Sequence, residues 1–152
     1  MALNLTAPAA SFLQCHHVMT LATQGVDGPW AAAVFYAIDG EDLVFLSAPA
    51  SRHGRDLAAQ PRCAASIQDQ ETDWRAIQGI QLEGRASRLH GLDADAAQRV
   101  YAERFAFVRP GAAPPEIAKA LAHVQWYRLR IARLYFIDNA SGLGRRQEFG
   151  HS

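Results

Sequence analysis

The chain has 152 residues, with 15 basic and 15 acidic side chains and a formal net charge of +0. Because no basic excess is available to neutralise a phosphate backbone, the composition argues against a nucleic-acid-binding protein. With 49% hydrophobic and 20% charged residues, the sequence is typical of a globular chain, and its length predicts one domain over residues 1–152.

Cysteine usage and the N-terminal sequence bear on the cellular location. The two cysteines, Cys15 and Cys63, lie far apart without C-x-x-C spacing, which predicts no disulfide framework and fits a reducing compartment. The first residues lack the basic segment and apolar core of a signal peptide, and no apolar run reaches membrane-spanning length. We therefore expect a cytoplasmic protein without a membrane partner.

A short helix and a β-hairpin are predicted for the N-terminal part. The helix covers residues 8–14, an alternating strand covers residues 18–23, and a G-x-x-G turn at residues 25–28 leads into a partner strand over residues 29–38. Three consecutive alanines, Ala31–Ala33, lie in the partner strand. Such small side chains keep one patch of a sheet flat, either for close packing against a helix or for a planar ring system.

Two adjacent histidines, His16 and His17, follow the predicted helix. Histidines at a helix C-terminus complement the helix dipole, and this is the interpretation that we favour. The alternative is a metal site formed with Cys15, but consecutive residues point in different directions on a helix and chelate poorly. No metal site is therefore predicted.

The most informative stretch joins a buried strand to a basic helix start. Residues 43–46 are apolar without a break and predict a strand, and Ser51 occupies a helix N-cap position. The first helical turn carries Arg52, His53 and Arg55, although cations are unfavourable at the positive end of the helix dipole. Free backbone N–H groups, a serine hydroxyl and an arginine fork together predict a phosphate-type anion site. The alternative is a solvated basic turn.

The remaining segments predict further strands and two helices. Their bounds are residues 63–67 and 77–86 for strands, 94–107 and 116–123 for helices, and 124–137 for two strands or one strand bent near Arg130. Asp93 is the predicted N-cap of the longer helix. Gly79 and Gly84 mark bulges or bends that help a sheet to curl. The tail over residues 138–146 is predicted to be a basic loop.

Many short strands with few helices predict a mainly β (α+β) fold, an antiparallel β-barrel with helices at its ends. Motifs of other classes are missing from the sequence. No G-x-G-x-x-G follows a strand, and the H-E-x-x-H, G-x-S-x-G and P-loop patterns are not found. A Rossmann dinucleotide-binding fold is therefore not supported.

Five segments in the correct order resemble the pyridoxamine 5′-phosphate oxidase-like flavoproteins, which are split β-barrels that bind FMN. The first three segments characterise that superfamily, and the last two resemble its YhbP-like branch. With all five included, the resemblance covers nearly the whole chain. The segments are residues 18–23, 28–30, 51–53, 78–81 and 136–144. The implied fold is an antiparallel split β-barrel with short flanking helices.

The resemblance implies a homodimer that holds two FMN molecules in clefts between its subunits. The basic helix start would hold the phosphate, the strand before it would approach the ribityl chain or ring, and the alanine-containing strand would line the ring through its backbone. A glutamine of the long strand would reach the flavin, in one arrangement across the dimer interface. The residues assigned in this way are Ser51, Arg52 and His53 for the phosphate, Ser47 and Ala48 at the strand end, Ala32, Ala33, Val34, Phe35 and Tyr36 along the ring, and Gln78 or Gln81.

Three departures separate this chain from the true oxidases of the superfamily. His53 stands where they have a lysine, and Ala32 stands where they have a strand arginine. FMN is therefore expected to bind more weakly, unless Arg55 or the tail pair Arg145-Arg146 compensates. Their arginine-histidine pair for pyridoxamine phosphate has no clear match in the last strands. These differences argue against true pyridoxamine 5′-phosphate oxidase activity.

Three functions remain open on the sequence. The first is an FMN-dependent oxidoreductase of a small-molecule substrate, in which the flavin carries the redox chemistry and Tyr36 or His17 is a candidate proton donor, with no catalytic residue assigned. The second is a non-catalytic module that binds flavin or haem for sensing, storage or scavenging, with His16, His17 and His53 as candidates for haem. The third is a structural dimer whose site has decayed.

Overall fold

The computed structural model describes residues 3–151. Its helices are α1 (Ala7–Cys15), α2 (Arg52–Ala59), α3 (Gly91–Arg104) and α4 (Pro115–Leu121). Its strands are β1 (Val18–Gly25), β2 (Gly28–Phe35), β3 (Ala37–Asp39), β4 (Asp42–Ser47), β5 (Arg62–Gln68), β6 (Gln78–Arg88), β7 (Gln125–Asp138) and β8 (Arg146–Gly150). None of the helices within residues 3–151 combines the length and the hydropathy that crossing a lipid bilayer requires.

The strands form one antiparallel sheet in the order β2-β1-β5-β6-β7-β4-β3, with β8 added beside β7. The strands β2 and β3 follow each other in the chain, separated only by Tyr36, yet they lie at the two ends of this order. The sheet must therefore curl until its ends approach each other. This arrangement confirms the predicted mainly β (α+β) fold, an antiparallel split β-barrel with short flanking helices.

The strand β4 is buried on both faces, which explains its unbroken apolar sequence. Leu43 and Phe45 face the inside of the barrel, whereas Val44 belongs to a second cluster beneath α3. In that cluster the ring of Tyr101 packs edge-on against Trp126, with 5.2 Å between the ring centroids. Each fully buried aliphatic side chain contributes roughly 1.5–3 kcal/mol. The two clusters therefore hold β4, and with it the start of α2, in a fixed position.

A β-bulge bends β7 beside Gly84 of β6. The register shifts between Glu83 and Gly84, which leaves Ala132 of β7 without a directly paired residue. A Cβ built on Gly84 would lie 2.1 Å from the carbonyl oxygen of Arg130, so the two strands can approach this closely only at a glycine. The bend predicted near Arg130 is confirmed, within one continuous strand.

Two predicted elements have different bounds in the structure. The strand predicted over residues 29–38 is interrupted at Tyr36, because its second part changes its pairing partner from β1 to β4. The helix predicted to start after Asp93 begins at Gly91, and His90 is its N-cap. The predicted cap was therefore wrong. Asp93 lies in the first helical turn, where its carboxylate complements the helix dipole.

The strand β8 begins at Arg146, the last residue of the predicted loop, and its other residues had no predicted structure. It pairs with residues 133–137 of β7 at an edge of the sheet, and Phe149 is its one partly buried residue. An exposed edge strand does not need alternating apolar residues, so the sequence carries little signal for it.

Candidate functional site

The loop after β4 folds back to cap the N-terminus of α2. Ser51 is the N-cap residue: its Oγ accepts a hydrogen bond from the Gly54 N–H at 3.1 Å and donates one to the Ala48 carbonyl at 2.6 Å. A Cβ on Gly54 would lie 2.7 Å from that carbonyl oxygen, so the loop can close this tightly only over a glycine. The predicted N-cap is confirmed.

Ser47, the last residue of β4, brings His53 into the same cluster. The buried Ser47 Oγ is hydrogen-bonded to Nε2 of His53 and lies 3.3 Å from the Oγ of Ser51. Burial lowers the pKa of the His53 imidazole, and the nearby Asp56 carboxylate acts in the opposite direction. The imidazole is therefore neutral near pH 7, and its charge is not a permanent part of the cluster.

Arg52 supplies the permanent positive charge. Its guanidinium lies over the ring of Trp30, 4.4 Å from the ring centroid, and its Nη2 donates a hydrogen bond to the Asp27 carbonyl at 3.1 Å. Its Nε is buried without a hydrogen-bond partner among residues 3–151. Leaving a buried donor without an acceptor costs about 1–3 kcal/mol of stability. An acceptor from outside the described chain would remove this cost. We call the four residues Ser47, Ser51, Arg52 and His53 the cradle.

The other arginines considered from the sequence make their contacts elsewhere. Arg55 is exposed, and its Nη1 donates to the Ala50 carbonyl at 2.6 Å. The guanidinium of Arg146 lies over the ring of Tyr135 on β7, 4.4 Å from the centroid. Neither of these two contacts involves a residue of the cradle.

A buried carboxylate fixes α2 against β1. Asp56 is 6% exposed, and its Oδ2 accepts a hydrogen bond from the Thr23 hydroxyl at 2.8 Å. Its Oδ1 lies so close to Gly25 that a Cβ on that glycine would be 1.8 Å away. Sequence reasoning missed this contact. The available signal was the acid itself, because Asp56 precedes Leu57 on the side of the helix that is buried.

The strand β2 presents an open edge and an open face. Because it is an end strand, one edge of its backbone has no partner strand within residues 3–151. Ala31 and Ala33 are exposed, while Trp30 and Phe35 expose 42% and 46% of their surface. In the described part of the chain no helix covers the alanine patch. Of the two interpretations of these alanines, helix packing is therefore not observed.

Tyr36 lies at the break between β2 and β3 and faces the core. Its side chain is fully buried, and its hydroxyl donates a hydrogen bond to the Leu13 carbonyl at 2.6 Å. Burial raises the pKa of Tyr36 well above its ordinary value, although Arg104 opposes the shift. The Tyr36 N–H donates to the His17 carbonyl at 3.0 Å. A buried and fully bonded hydroxyl is not available as a proton donor.

The two candidate glutamines lie on opposite faces of β6. Gln78 is half-buried, whereas Gln81, three positions later, is exposed on the outer face. There Gln81 stands in a cross-strand row with Ser66 of β5, Thr20 of β1 and Ala33 of β2. Three strand spacings place Gln81 roughly 14 Å from Ala33. Gln81 thus shares a face with β2 but does not contact it within one chain.

An aromatic cluster lies beyond the C-terminal end of β2. The ring of Phe35 is 5.3 Å from that of Phe105 and 5.9 Å from that of Phe107, measured between centroids. The ring of His17 meets Phe105 edge-on at 5.9 Å. His17 is exposed, and its ring has no hydrogen bond with any residue of the described range. The cluster therefore offers an imidazole beside an apolar surface.

His16 is engaged on both sides of its ring. Its Nδ1 bonds the Phe12 carbonyl at 2.7 Å, and its Nε2 bonds the Asp69 carboxylate at 2.5 Å. Within residues 3–151, no group of three or more His, Cys, Asp or Glu side chains is placed to hold a metal ion. His16 serves to connect the end of α1 to the loop after β5.

Comparison with known proteins agrees with this fold. The family model for pyridoxamine 5′-phosphate oxidase matches residues 5–138. The chain is 29% identical over 145 residues to the UPF0306 protein YhbP of Escherichia fergusonii, covering 94% of this chain and 90% of that protein. The predicted similarity to the YhbP-like branch is confirmed.

Two solved structures share the fold. One is a heme binding protein from Mycobacterium smegmatis, with a TM-score of 0.73 and 26% identity; the match covers 96% of this chain but only 60% of that protein. The other is a FAD-binding protein from Mesorhizobium loti, with a TM-score of 0.63 and 21% identity, covering 86% of this chain and 92% of that protein. With a family model that matches most of its length, the chain belongs to the pyridoxamine 5′-phosphate oxidase family.

Proposed function

We propose that this chain is a flavoprotein that binds FMN as a homodimer, with the FMN phosphate in the cradle and the isoalloxazine ring along the open edge of β2. The observation that carries the proposal is the buried, unpaired Nε of Arg52, on the helix start that also carries the hydrogen-bonded residues Ser51 and His53. A phosphate ester supplies acceptor oxygens for that N–H and for the free N–H groups of the first helical turn. The residues of the cradle thus fit the anionic end of FMN.

The length of β2 supports this placement. Arg52 stacks on Trp30 near the start of the strand, and the aromatic cluster lies at Phe35, its last residue. Five residues of strand span about 17 Å, which is comparable to an extended FMN molecule. With the phosphate at Arg52, the ring would lie near Val34 and Phe35. The small side chains of Ala31–Ala33 leave room for it.

A second copy of the chain would complete the site. The outer face shared by β1, β2 and β5 carries small or apolar residues that the described chain leaves at least partly exposed, namely Val18, Thr20, Ala22, Ala31, Ala33, Phe35, Ala64 and Ser66. Two such faces can pack against each other as sheets do. Packing in this way would bring Gln81 of each chain toward the other chain. We therefore place the proposed cofactor site at the interface of a homodimer.

Bound FMN would supply the electron-transfer chemistry, while this chain binds and orients the cofactor. We accordingly propose an oxidoreductase that acts on a small molecule in the cytoplasm, where Cys15 and Cys63 would remain free thiols. Burial raises the pKa of the Cys63 thiol to about 11, so this thiol is unreactive at neutral pH. Because the last strands hold no clear match to the arginine-histidine pair that the true oxidases use for pyridoxamine phosphate, oxidation of pyridoxamine phosphate is not the reaction that we propose.

The test is flavin retention by purified protein after FMN addition and desalting, followed by visible absorbance. We expect the wild type to retain FMN and the Arg52→Ala variant to lose it. Arg55→Ala is the matched control, because Arg55 lies on the same helix turn but its side chain, among residues 3–151, bonds only the Ala50 carbonyl.

Retention of stoichiometric FMN by Arg52→Ala would overturn the phosphate assignment. A wild-type protein that takes up no FMN would overturn the flavin proposal as a whole. The oxidoreductase part is tested separately, by following oxidation of NADPH or NADH with quinone and nitroaromatic acceptors; tight FMN binding without turnover would favour a non-catalytic flavin module.

A haem-binding module is the second candidate, and one observation favours it. His17 is exposed, lacks a hydrogen bond within the described residues and lies beside Phe35 and Phe105. An imidazole next to an apolar surface suits an iron porphyrin. One of the similar solved structures is described as a heme binding protein.

Haem titration followed by absorbance distinguishes this candidate from the flavin proposal. If the module binds haem, a sharp Soret band should develop with the wild type and be lost in His17→Ala. The control is His16→Ala, since both ring nitrogens of His16 are already bonded. An unchanged band in His17→Ala would exclude His17 as the iron ligand.

A further inference from the structure

The cradle has two hydroxyl hydrogens, one on Ser47 and one on Ser51. This number limits the hydrogen bonds that the two serines can donate. The Ser51 hydroxyl donates to the Ala48 carbonyl, and its oxygen accepts from the Gly54 N–H. Ser51 therefore has no hydrogen left for Ser47 or His53. The single hydroxyl hydrogen of Ser47 then has two acceptors within reach, the Nε2 of His53 and the Oγ of Ser51.

The charge of His53 decides where this hydrogen points. When the imidazole is neutral with its proton on Nδ1, Nε2 is an acceptor and takes the Ser47 hydrogen. When the imidazole is charged, Nε2–H donates to the Ser47 oxygen instead. The Ser47 hydrogen is then released and can donate to another acceptor. Protonation of His53 thus adds one positive charge and frees one hydroxyl donor.

The surroundings of His53 influence the protonation of its imidazole in both directions. Burial favours the neutral imidazole, and the first turn of the same helix carries the two cations Arg52 and Arg55. Asp56, one helical turn after His53, favours the charged form and is itself fixed by its hydrogen bond to Thr23. Asp27 of the hairpin approaches through its carbonyl, which accepts from Arg52. An added phosphoryl dianion would act in the same direction as Asp56.

We propose that binding of a phosphate ester in the cradle is coupled to the uptake of one proton by His53. Ser47 then donates its freed hydroxyl hydrogen to the phosphoryl group. Asp56 is a positioning residue that favours this protonation. The inference rests on the proposed FMN site and adds to it a regulation of FMN affinity by pH. Affinity for the phosphorylated flavin falls as pH rises, by up to about tenfold per pH unit where one full proton is taken up. Riboflavin, which lacks the phosphate, shows no such dependence.

The experiment counts protons during binding. Calorimetric titration of FMN at about pH 8, where a free phosphate ester is already a dianion, is repeated in two buffers that differ in ionisation enthalpy. The difference in observed heat gives the number of protons taken up by the protein. We expect a clear fractional uptake with the wild type and none with riboflavin as the ligand.

Two variants separate the roles of the residues. His53→Gln keeps a polar partner for Ser47 but does not titrate, so it should bind FMN without proton uptake and with little pH dependence. Asp56→Asn should reduce the uptake, and circular dichroism verifies that it is folded. Arg55→Ala is the control on the same helix and should not reduce the uptake.

Each outcome decides a different question. FMN binding by the wild type without proton uptake overturns the coupling but leaves the FMN site intact. The same uptake in His53→Gln as in the wild type assigns the proton to another group and also overturns the proposal. Absence of FMN binding by the wild type overturns both the FMN site and the coupling.

Discussion

The carboxylate of Asp56 lies directly against Gly25, so that a Cβ on this glycine would be 1.8 Å from Oδ1. Through this contact the hairpin between β1 and β2 and the helix α2 form one unit. The hairpin carries Asp27 and Trp30, which hold Arg52, and the helix carries Arg52 itself. The geometry of the cradle therefore depends on Asp56, a residue that is not itself part of the proposed phosphate contact.

Gly25→Ala should displace α2 and weaken the cradle. Because the added methyl group must push the buried carboxylate away from Thr23, we expect a loss of about 1–3 kcal/mol in the free energy of unfolding and a clear loss of FMN affinity. Urea denaturation and FMN titration measure the two effects. Gly150→Ala is the control, since the atoms nearest to its added Cβ are 3.7 Å away. Equal behaviour of the two variants would contradict the argument.

Trp30→Ala should weaken FMN binding without unfolding the protein. The ring of Trp30 lies 4.4 Å from the Arg52 guanidinium, and a cation–π contact at an exposed site is worth about 0.5–1 kcal/mol. The expected loss is roughly two- to fivefold in FMN affinity. Trp74→Ala is a matched control, because Trp74 is also half-exposed and stacks with Arg75 at 4.8 Å, away from the cradle. A similar loss in both variants would count against a specific role of Trp30.

Stability should fall steeply in alkali. Burial raises the pKa of Tyr36, Tyr101 and Tyr127 above the ordinary value of 10.0. Above about pH 10 the unfolded chain releases phenolic protons that the folded chain still holds, so unfolding becomes more favourable as pH rises. Urea denaturation at rising pH measures this loss. The Tyr101→Phe variant should lose less stability between neutral and alkaline pH than the wild type, and an unchanged slope would refute this account.

In the absence of flavin, stability should also fall with mild acid. Burial lowers the pKa of His53 below the ordinary 6.5, so below about pH 6.5 the unfolded chain binds a proton that the folded chain resists. His53→Gln should remove this part of the pH dependence. Excess FMN should reverse the sign, since a bound phosphate favours the charged imidazole. Denaturation curves of both proteins at several pH values, with and without FMN, test the two statements together.

The start of α2 was readily predicted, because its signals are local. An apolar run marks β4, and a serine before a basic turn marks the start of α2, so Ser51 and Arg52 could be placed from a short stretch of sequence. The contact between Asp56 and Gly25 could not be predicted, because it joins residues of separate elements. The interruption at Tyr36 was missed for the same reason: the change of partner from β1 to β4 is a property of the closed sheet.

The glutamines show a further limit of sequence reasoning. Alternation correctly places Gln81 on the polar face of β6, opposite Ile80 and Leu82. It does not reveal that this face continues across β5 and β1 to the exposed alanines of β2. Only the strand order shows that relationship.

The separation of β2 and β3 at opposite ends of the sheet has a consequence for the folding pathway. The hairpin of β3 and β4 forms from neighbouring residues. The other pairing of β4 is with β7, which is near the C-terminal end of the chain, and it can form only later. Such distant pairings delay folding, typically to milliseconds or seconds. During synthesis, β2 leaves the ribosome long before β7 does. The cradle would therefore acquire its final shape only after most of the chain has been made, and early fragments should not bind the proposed FMN.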